Sequence, residues 1–100
     1  MDAYEQIAQT TGFEWNVGNL EKNWHKRQVS AAECEQVFFN QPLVAAPDVA
    51  HSQQEVRFFA LGQTDLGRLL FVVFTLRGTM IRVISARDMS RKERKVYERL

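Results

Sequence analysis

Three strand-like apolar segments joined by short connections constrain the fold more than any other feature of this sequence. They cover residues 55–61, 69–75 and 80–86, and the middle segment, LLFVVFT, is the most apolar. Glycines lie in both connections, where the chain must turn. Because such short connections join neighbouring strands that run in opposite directions, the sequence predicts an antiparallel meander with residues 69–75 in the middle of the sheet.

A helix is predicted directly after the "FEW" segment near the start of the chain. Asn16 can cap it, because the side-chain oxygen can accept a backbone N–H of the first turn. Val17, Leu20 and Trp24 follow at spacings typical of one helical stripe. We interpret the apolar stripes of this helix and the next one as faces that pack on the sheet.

Two capping boxes mark the beginnings of further helices. Ser30 with Glu33 begins a second helix, and Ser90 with Glu93 begins a terminal helix. A short strand over residues 13–15 precedes the helix pair. The element order is therefore β-α-α-β-β-β-α, which predicts an α+β fold: a central antiparallel meander sheet with helices packed on it.

The length of the chain, 100 residues, predicts a single domain over residues 1–100, with residues 1–12 as an N-terminal appendage. The only cysteine, Cys34, lies on the apolar stripe of its helix, so we expect a buried thiol rather than a nucleophile. The N-terminal segment lacks the pattern of a signal peptide, and no apolar stretch approaches the roughly 20 residues of a membrane span. We therefore expect a cytoplasmic protein without membrane contact.

The histidines and glycines argue against a metal or nucleotide site. His25 and His51 are the only histidines, and no Cys-x-x-Cys or His-x-x-x-His spacing accompanies them. The glycines lie at turns and do not form a phosphate-binding loop. We expect neither a metal nor a cofactor.

Charge is unevenly distributed along the chain. Residues 77–100 hold eight Lys or Arg against three acids, whereas residues 1–76 hold five against nine, although the net charge is only +1. A basic end on a nearly neutral protein is typical of a surface for nucleic acid. Charge alone slightly favours the other interpretation, a solvated terminal helix.

The arginines of the meander are the main candidates for binding an anion. Arg57 lies on its first strand, and Arg82 and Arg87 lie on its third. On a regular strand Arg82 and Arg87 would point to opposite faces, although Arg87 lies at the strand end and can turn toward the terminal helix. Whether Arg57 meets Arg82 depends on the strand register, which the sequence leaves open. An arginine within an apolar strand should lie on a wet face, pair with an acid such as Glu14 or Glu55, or bind an anion.

A series of short motifs resembles the BrnT family of toxins. The series contains "FEWN" at 13–16, Asn23 with Lys26, Val29-Ser30, Val37-Phe38, "HSxxExRF" at 51–58, "GxTxxGRLLFVVFTxR" at 62–77 and "IRVISARxxxxxER" at 81–94, followed by Tyr97. The resemblance covers residues 13–99, and its most specific part is the last motif.

The resemblance implies a RelE/ParE-like α+β fold and the activity of a ribonuclease toxin in a type II toxin–antitoxin system. It also implies a cognate BrnA-type antitoxin, a ribbon-helix-helix protein that neutralises the toxin and supplies the contact with DNA. One motif differs: the family usually has "KHG" before the second helix, and this chain has Lys26-Arg27-Gln28. If that histidine transfers protons, the chain is a weak toxin, or a degenerate one that only binds protein or RNA.

Metal-independent cleavage of RNA needs cations at the phosphate and groups that transfer protons. The candidate catalytic residues are Arg57, Arg82 and Arg87 for the phosphate, and His51 for proton transfer, with Tyr97 or Glu55 as substitutes for His51. The candidate RNA-binding residues are Lys26, Arg91, Arg94 and Lys95. Each role has a structural alternative: His51 as a surface loop residue, Tyr97 as an anchor of the last helix, Glu55 as a simple partner of Arg57, and Arg82 and Arg87 as braces of the last helix through Glu93.

Overall fold

The structure is a computed structural model that describes residues 1–51 and 55–100, with only the backbone of His51. Its elements, in chain order, are α1 Ala3–Ala8, β1 Gly12–Glu14, α2 Val17–Arg27, α3 Ala31–Val37, β2 Val44–Pro47, a 3₁₀ helix Val49–His51, β3 Arg57–Gln63, β4 Leu69–Arg77, β5 Met80–Asp88 and α4 Arg91–Glu98. Within these two ranges, no helix is long and apolar enough to cross a membrane.

The five strands form one mixed sheet in the order β1-β5-β4-β3-β2. The predicted meander is confirmed, because β3, β4 and β5 pair antiparallel in sequence order. The predicted first strand of the meander begins two residues too early. The short N-terminal strand β1 pairs parallel with β5, from Gly12 beside Met80 to Glu14 beside Arg82. The α+β prediction is confirmed.

Strand β2 was not predicted, since the expected element order has no strand between the second helix and the first strand of the meander. Val44–Pro47 pairs antiparallel with β3, placing Val44 beside Leu61 and Pro47 beside Phe58. Alanine and proline have weak preferences for strands, and proline is tolerated mainly at sheet edges. The strand is therefore defined by its pairing with β3 rather than by its own sequence.

The core lies on one face of the sheet, beneath α1 and α3. The buried side chains of β3, β4 and β5 on this face are Phe58, Ala60, Leu70, Val72, Phe74, Ile81, Val83 and Ala86. Cys34 and Val37 of α3 are fully buried against them, which confirms the prediction for Cys34. The ring of Phe38, directly after α3, meets Phe74 edge-on at 5.0 Å between centroids.

Helix α2 packs differently from the prediction. Its apolar stripe was expected to face the sheet, but Val17 is 70% exposed and Trp24 is 48% exposed. The side chain that α2 buries is Asn23, whose Oδ1 accepts the backbone N–H of Ala86 at 3.2 Å. Because β1 pairs only with the first three residues of β5, the N–H of Ala86 needs another partner, and Asn23 supplies it.

The first twelve residues pack on the rest of the domain. Ala3 of α1 is buried, and Ile7 packs against the core. The hydroxyl of Tyr4 accepts the backbone N–H of Ala45 at 3.0 Å, which joins α1 to the edge strand β2. The segment predicted as an N-terminal appendage therefore contributes side chains to the core.

Candidate nucleic-acid interface

A β-bulge places Arg82 and Arg87 on the same face of the sheet. Val73 pairs with Ser85, and the next residue of β4, Phe74, pairs with Val83, so Ile84 is an extra residue in β5. The buried positions of β5 shift accordingly, from Ile81 and Val83 to Ala86. The expectation that Arg82 and Arg87 point to opposite faces is therefore wrong, because it assumed a regular strand. We call their face, opposite the core, the outer face.

Arg57 and Arg82 lie in one row across the outer face, which settles the register that the sequence left open. Arg57 is beside Thr75 in the β3–β4 pair, and Thr75 is beside Arg82 in the β4–β5 pair. Two strand spacings separate the backbones of the arginines by roughly 10 Å. Thr75 between them is almost fully buried, and its hydroxyl donates to the carbonyl of Val56 at 2.9 Å. The row thus holds one cation on each side of a fixed hydroxyl group.

Arg82 has an unsatisfied donor within this row. Its Nε is buried and has no hydrogen-bond partner among the residues that the structure describes. Glu14 lies beside it in register on β1, whereas Glu55, the other acid considered as a partner, pairs with Arg77 at 3.7 Å. A buried donor without a partner costs roughly 1–3 kcal/mol. Arg82 therefore brings an incompletely satisfied guanidinium to the row that it shares with Arg57.

Arg87 is held firmly in place at the other end of the outer face. Its Nη1 and Nη2 donate to the two carboxylate oxygens of Glu93 at 2.8 and 2.9 Å. Its Cζ lies 4.2 Å from the ring centroid of Phe71. The hydrogen bonds raise the pKa of Arg87 and lower the pKa of Glu93. This geometry supports the alternative interpretation of Arg87 as a brace of the last helix, while its role at the phosphate stays a prediction.

Tyr97 anchors α4 to the outer face. Its ring is buried with Leu61 and Met89, and its hydroxyl donates to the backbone carbonyl of Pro42. Burial raises the pKa of Tyr97, whereas a hydrogen bond with Gln63 lowers it by less. The hydroxyl therefore keeps its proton at neutral pH and has a structural partner. A role of Tyr97 in proton transfer stays a prediction.

The predicted RNA-binding cations are all exposed, but they lie in two places. Arg91, Arg94 and Lys95 lie on α4, and Lys26 lies in the last turn of α2. The pKa of Asp88 is lowered chiefly by its hydrogen bond with Arg68, and the nearby charge of Arg94 contributes to the same shift. The backbone of His51 ends the 3₁₀ helix, but its side chain falls outside what the structure describes.

Arg68 is an important residue whose role was not predicted from the sequence. Its Nε donates to Asp88 at 2.7 Å, and its Nη1 donates to the carbonyl of Gln28 at 2.8 Å and to Glu33 at 3.1 Å. Its Nη2 also donates to the carbonyl of Arg27 at 3.3 Å. Arg68 therefore joins the end of α2, the start of α3 and the end of β5. The one signal in the sequence that could have indicated this role is the position of Arg68, a charged residue directly before the most apolar strand.

The structure gives little support to a metal site or to a catalytic cysteine. Among the side chains that the structure describes, no group of three or more His, Cys, Asp or Glu could hold a metal ion. Burial raises the pKa of the Cys34 thiol to about 12, so the thiol stays protonated at neutral pH. The outer face, with its arginines and aromatic rings, is the candidate site.

Comparisons with known proteins identify the family of this chain. A family model described as the ribonuclease toxin BrnT of type II toxin–antitoxin systems matches residues 15–93. The matched range includes Arg57, Arg82 and Arg87, whereas Arg94, Lys95 and Tyr97 lie beyond it. No curated protein matches the chain.

The fold is also similar to that of a solved structure. The 1.1 Å crystal structure of the Brucella abortus ribonuclease toxin BrnT aligns with a TM-score of 0.60 and 20% sequence identity. The alignment covers 82% of this chain and 100% of that one. At this identity the likeness establishes a shared fold.

Proposed function

Because this chain belongs to the BrnT family of ribonuclease toxins of type II toxin–antitoxin systems, we propose that it cleaves RNA on the outer face without a metal ion. The observation that carries the site assignment is the row of Arg82 and Arg57 across the outer face, in which Nε of Arg82 has no partner among the described residues. Arginine suits this role, since its planar guanidinium can bind two phosphate oxygens at once.

The proposed reaction is an attack by the 2′-hydroxyl of RNA on the adjacent phosphorus. The bond from phosphorus to the 5′-oxygen breaks, leaving a 2′,3′-cyclic phosphate and a 5′-hydroxyl. Negative charge grows on the phosphate oxygens in the transition state, and fixed guanidinium groups stabilise it. Arg82 and Arg57 bind the reacting phosphate, while Arg87, braced by Glu93, contributes charge two rows further along the face, beside Phe71.

Proton transfer has one main candidate, His51, because imidazole is the side chain whose unperturbed pKa, about 6.5, lies nearest to neutral pH. Its 3₁₀ helix packs against β3, and the N–H of Asp48, just before that helix, donates to the carbonyl of Arg57 at 2.7 Å. The backbone of this segment therefore runs beside the start of β3, where Arg57 lies. Tyr97 and Glu55 are the weaker candidates, because the Tyr97 hydroxyl donates to Pro42 and Glu55 pairs with Arg77.

The test of cleavage uses purified protein and an end-labelled synthetic RNA in buffer that contains EDTA. We expect cleavage to persist in EDTA, and Arg82→Ala to slow it by about 100- to 1000-fold. Arg99→Ala, at the exposed end of α4, is the matched control and should cleave normally. Cleavage that stops in EDTA would contradict metal independence, and normal cleavage by a folded Arg82→Ala protein would contradict the site.

A cognate antitoxin is implied by the family. We propose that it is a BrnA-type ribbon-helix-helix protein, that it alone contacts DNA, and that the toxin acts on RNA in the cytoplasm. Co-expression with the product of the neighbouring reading frame should restore growth and yield a stable complex. A co-purifying partner that lacks DNA binding would contradict this assignment.

One observation favours a second candidate function, a degenerate toxin that binds without cleaving. Arg27 stands where the family motif has histidine, in the last turn of α2. If that position transfers protons, the natural chain binds RNA without cutting it, and Arg27→His gains cleavage. Growth arrest and cleavage by the unaltered chain would instead support the toxin.

A further inference from the structure

An aromatic ladder crosses three strands of the outer face. The rings of Phe59 on β3 and Phe71 on β4 are nearly parallel, with centroids 5.8 Å apart and planes 14° apart. The guanidinium of Arg87 on β5 continues the ladder over Phe71. These three groups share the face that carries Arg57 and Arg82.

The two ends of the ladder differ. At the β5 end, Glu93 of α4 binds Arg87, so that end is closed by an ion pair. At the β3 end, the cross-strand neighbour of Phe59 on β2 is Ala46, which brings only a methyl group. Phe59 is partly exposed. The ring thus has one face against Phe71, and its neighbour in register on the edge strand is a small residue.

Phe59 also lies within reach of the cationic row. It is two residues from Arg57 on the same face of β3, a distance of roughly 7 Å along the strand. Across the sheet, Val73 and Ser85 share its row, one row from Thr75 and Arg82. A nucleotide whose phosphate is held by the arginines could place its base against Phe59.

We propose that Phe59 is a stacking platform for a base of single-stranded RNA. This inference rests on the proposed function, and it specifies the substrate. Stacking requires a base with a free face, which single strands offer and duplexes hide. Since every base has such a face, the platform selects single-stranded RNA without reading its sequence.

The test uses a single-stranded 2′-O-methyl RNA with one central 2-aminopurine, because the methyl groups block attack by the 2′-hydroxyl. Binding to the wild-type protein should quench 2-aminopurine, whose fluorescence falls when the base stacks. Phe59→Leu keeps an apolar side chain and removes the aromatic face, so it should weaken binding by about 5- to 100-fold and abolish the quench. Phe59→Tyr should retain both.

The matched control is Phe39→Leu, at an exposed ring on the core side that contacts Phe13. It should bind and quench as the wild type does. A Phe59→Leu protein with wild-type affinity and quench overturns the proposal, as does a wild-type protein that binds the same RNA more tightly as a duplex. Thermal melts establish that each variant is folded.

Failure of this inference is distinguishable from failure of the proposed function. If Arg82→Ala loses cleavage while Phe59→Leu binds and quenches normally, the phosphate site stands and the stacking platform is overturned. If Phe59→Leu loses the quench while Arg82→Ala cleaves normally, the platform stands and the phosphate site is overturned.

Discussion

Arg87 and Glu93 lie six residues apart and are joined by two nearly parallel hydrogen bonds of 2.8 and 2.9 Å. Glu93 also accepts the backbone N–H of Ser90 at 2.8 Å, which completes the capping box of α4. The same carboxylate therefore starts the helix and fixes it to the end of β5. Because α4 covers only the part of the outer face around Tyr97, its position sets how much of that face stays accessible.

Glu93→Gln should lower the free energy of unfolding by about 1 kcal/mol at neutral pH. The amide keeps part of the capping box but loses the charged pair, which is partly exposed and therefore worth little more. Chemical denaturation of both proteins measures the difference. Glu98→Gln, an exposed carboxylate on the same helix, is the control and should change stability by less.

The effect of Glu93→Gln should depend on pH. The folded-state pKa of Glu93 is lowered from its ordinary value of 4.5, chiefly by the hydrogen bonds from Arg87. A lowered folded-state pKa gives stability that is fully present above pH 4.5 and is lost as pH falls through the folded value. The difference between wild type and Glu93→Gln should therefore shrink below pH 4.5. A difference that is constant from pH 7 to pH 3 would contradict this origin.

Gly62→Ala should destabilise the domain because α3 packs directly on β3 there. A Cβ at Gly62 would lie 2.6 Å from Cγ1 of Val37 and 3.2 Å from its carbonyl oxygen. Overpacking of this kind costs about 1–3 kcal/mol. At Gly12 the nearest atom is Cε of Met80 at 3.2 Å, the flexible end of a side chain. Thermal melts should show a clearly larger loss for Gly62→Ala than for Gly12→Ala, and equal losses would contradict the packing argument.

Gln28→Gly should stabilise the domain by about 0.5–1 kcal/mol. Gln28 ends α2 in the left-handed conformation, with φ of 56°, which glycine adopts without strain. The gain is reduced by the loss of the hydrogen bond from Gln28 Nε2 to the carbonyl of Trp24. Gln28→Ala is the matched comparison, since it loses the same bond and keeps the strain, so it should be less stable than the wild type in denaturant unfolding. A glycine variant no more stable than the alanine variant would contradict the argument.

Local signals in the sequence predicted the parts of the fold that depend on neighbouring residues. Both capping boxes, at Ser30 and at Ser90, are present, and Asn16 caps α2 as expected. The meander followed from apolar segments with short connections. Each of these features is decided within a few residues, so an isolated sequence contains the necessary information.

The features that the sequence did not predict depend on distant partners. The bulge at Ile84 is defined by the pairing of β5 with β4, and it decides which face Arg82 and Arg87 share. Similarly, α2 buries Asn23 rather than its apolar stripe because the N–H of Ala86 lies beyond the end of β1. The geometry of the candidate site is therefore a property of the assembled sheet, even though its arginines could be named from the sequence.

Cys34 should be unreactive in the folded protein and reactive once the chain unfolds. The thiol is fully buried on α3, and burial raises its pKa to about 12, so the reactive thiolate is scarce at pH 8. Iodoacetamide at pH 8 should label the native protein far more slowly than the protein in denaturant, and mass spectrometry measures both rates. Cys34→Ala should bind and cleave RNA as the wild type does, because the outer face lies on the other side of the sheet. Rapid native labelling, or loss of cleavage in a folded Cys34→Ala protein, would contradict a purely structural thiol.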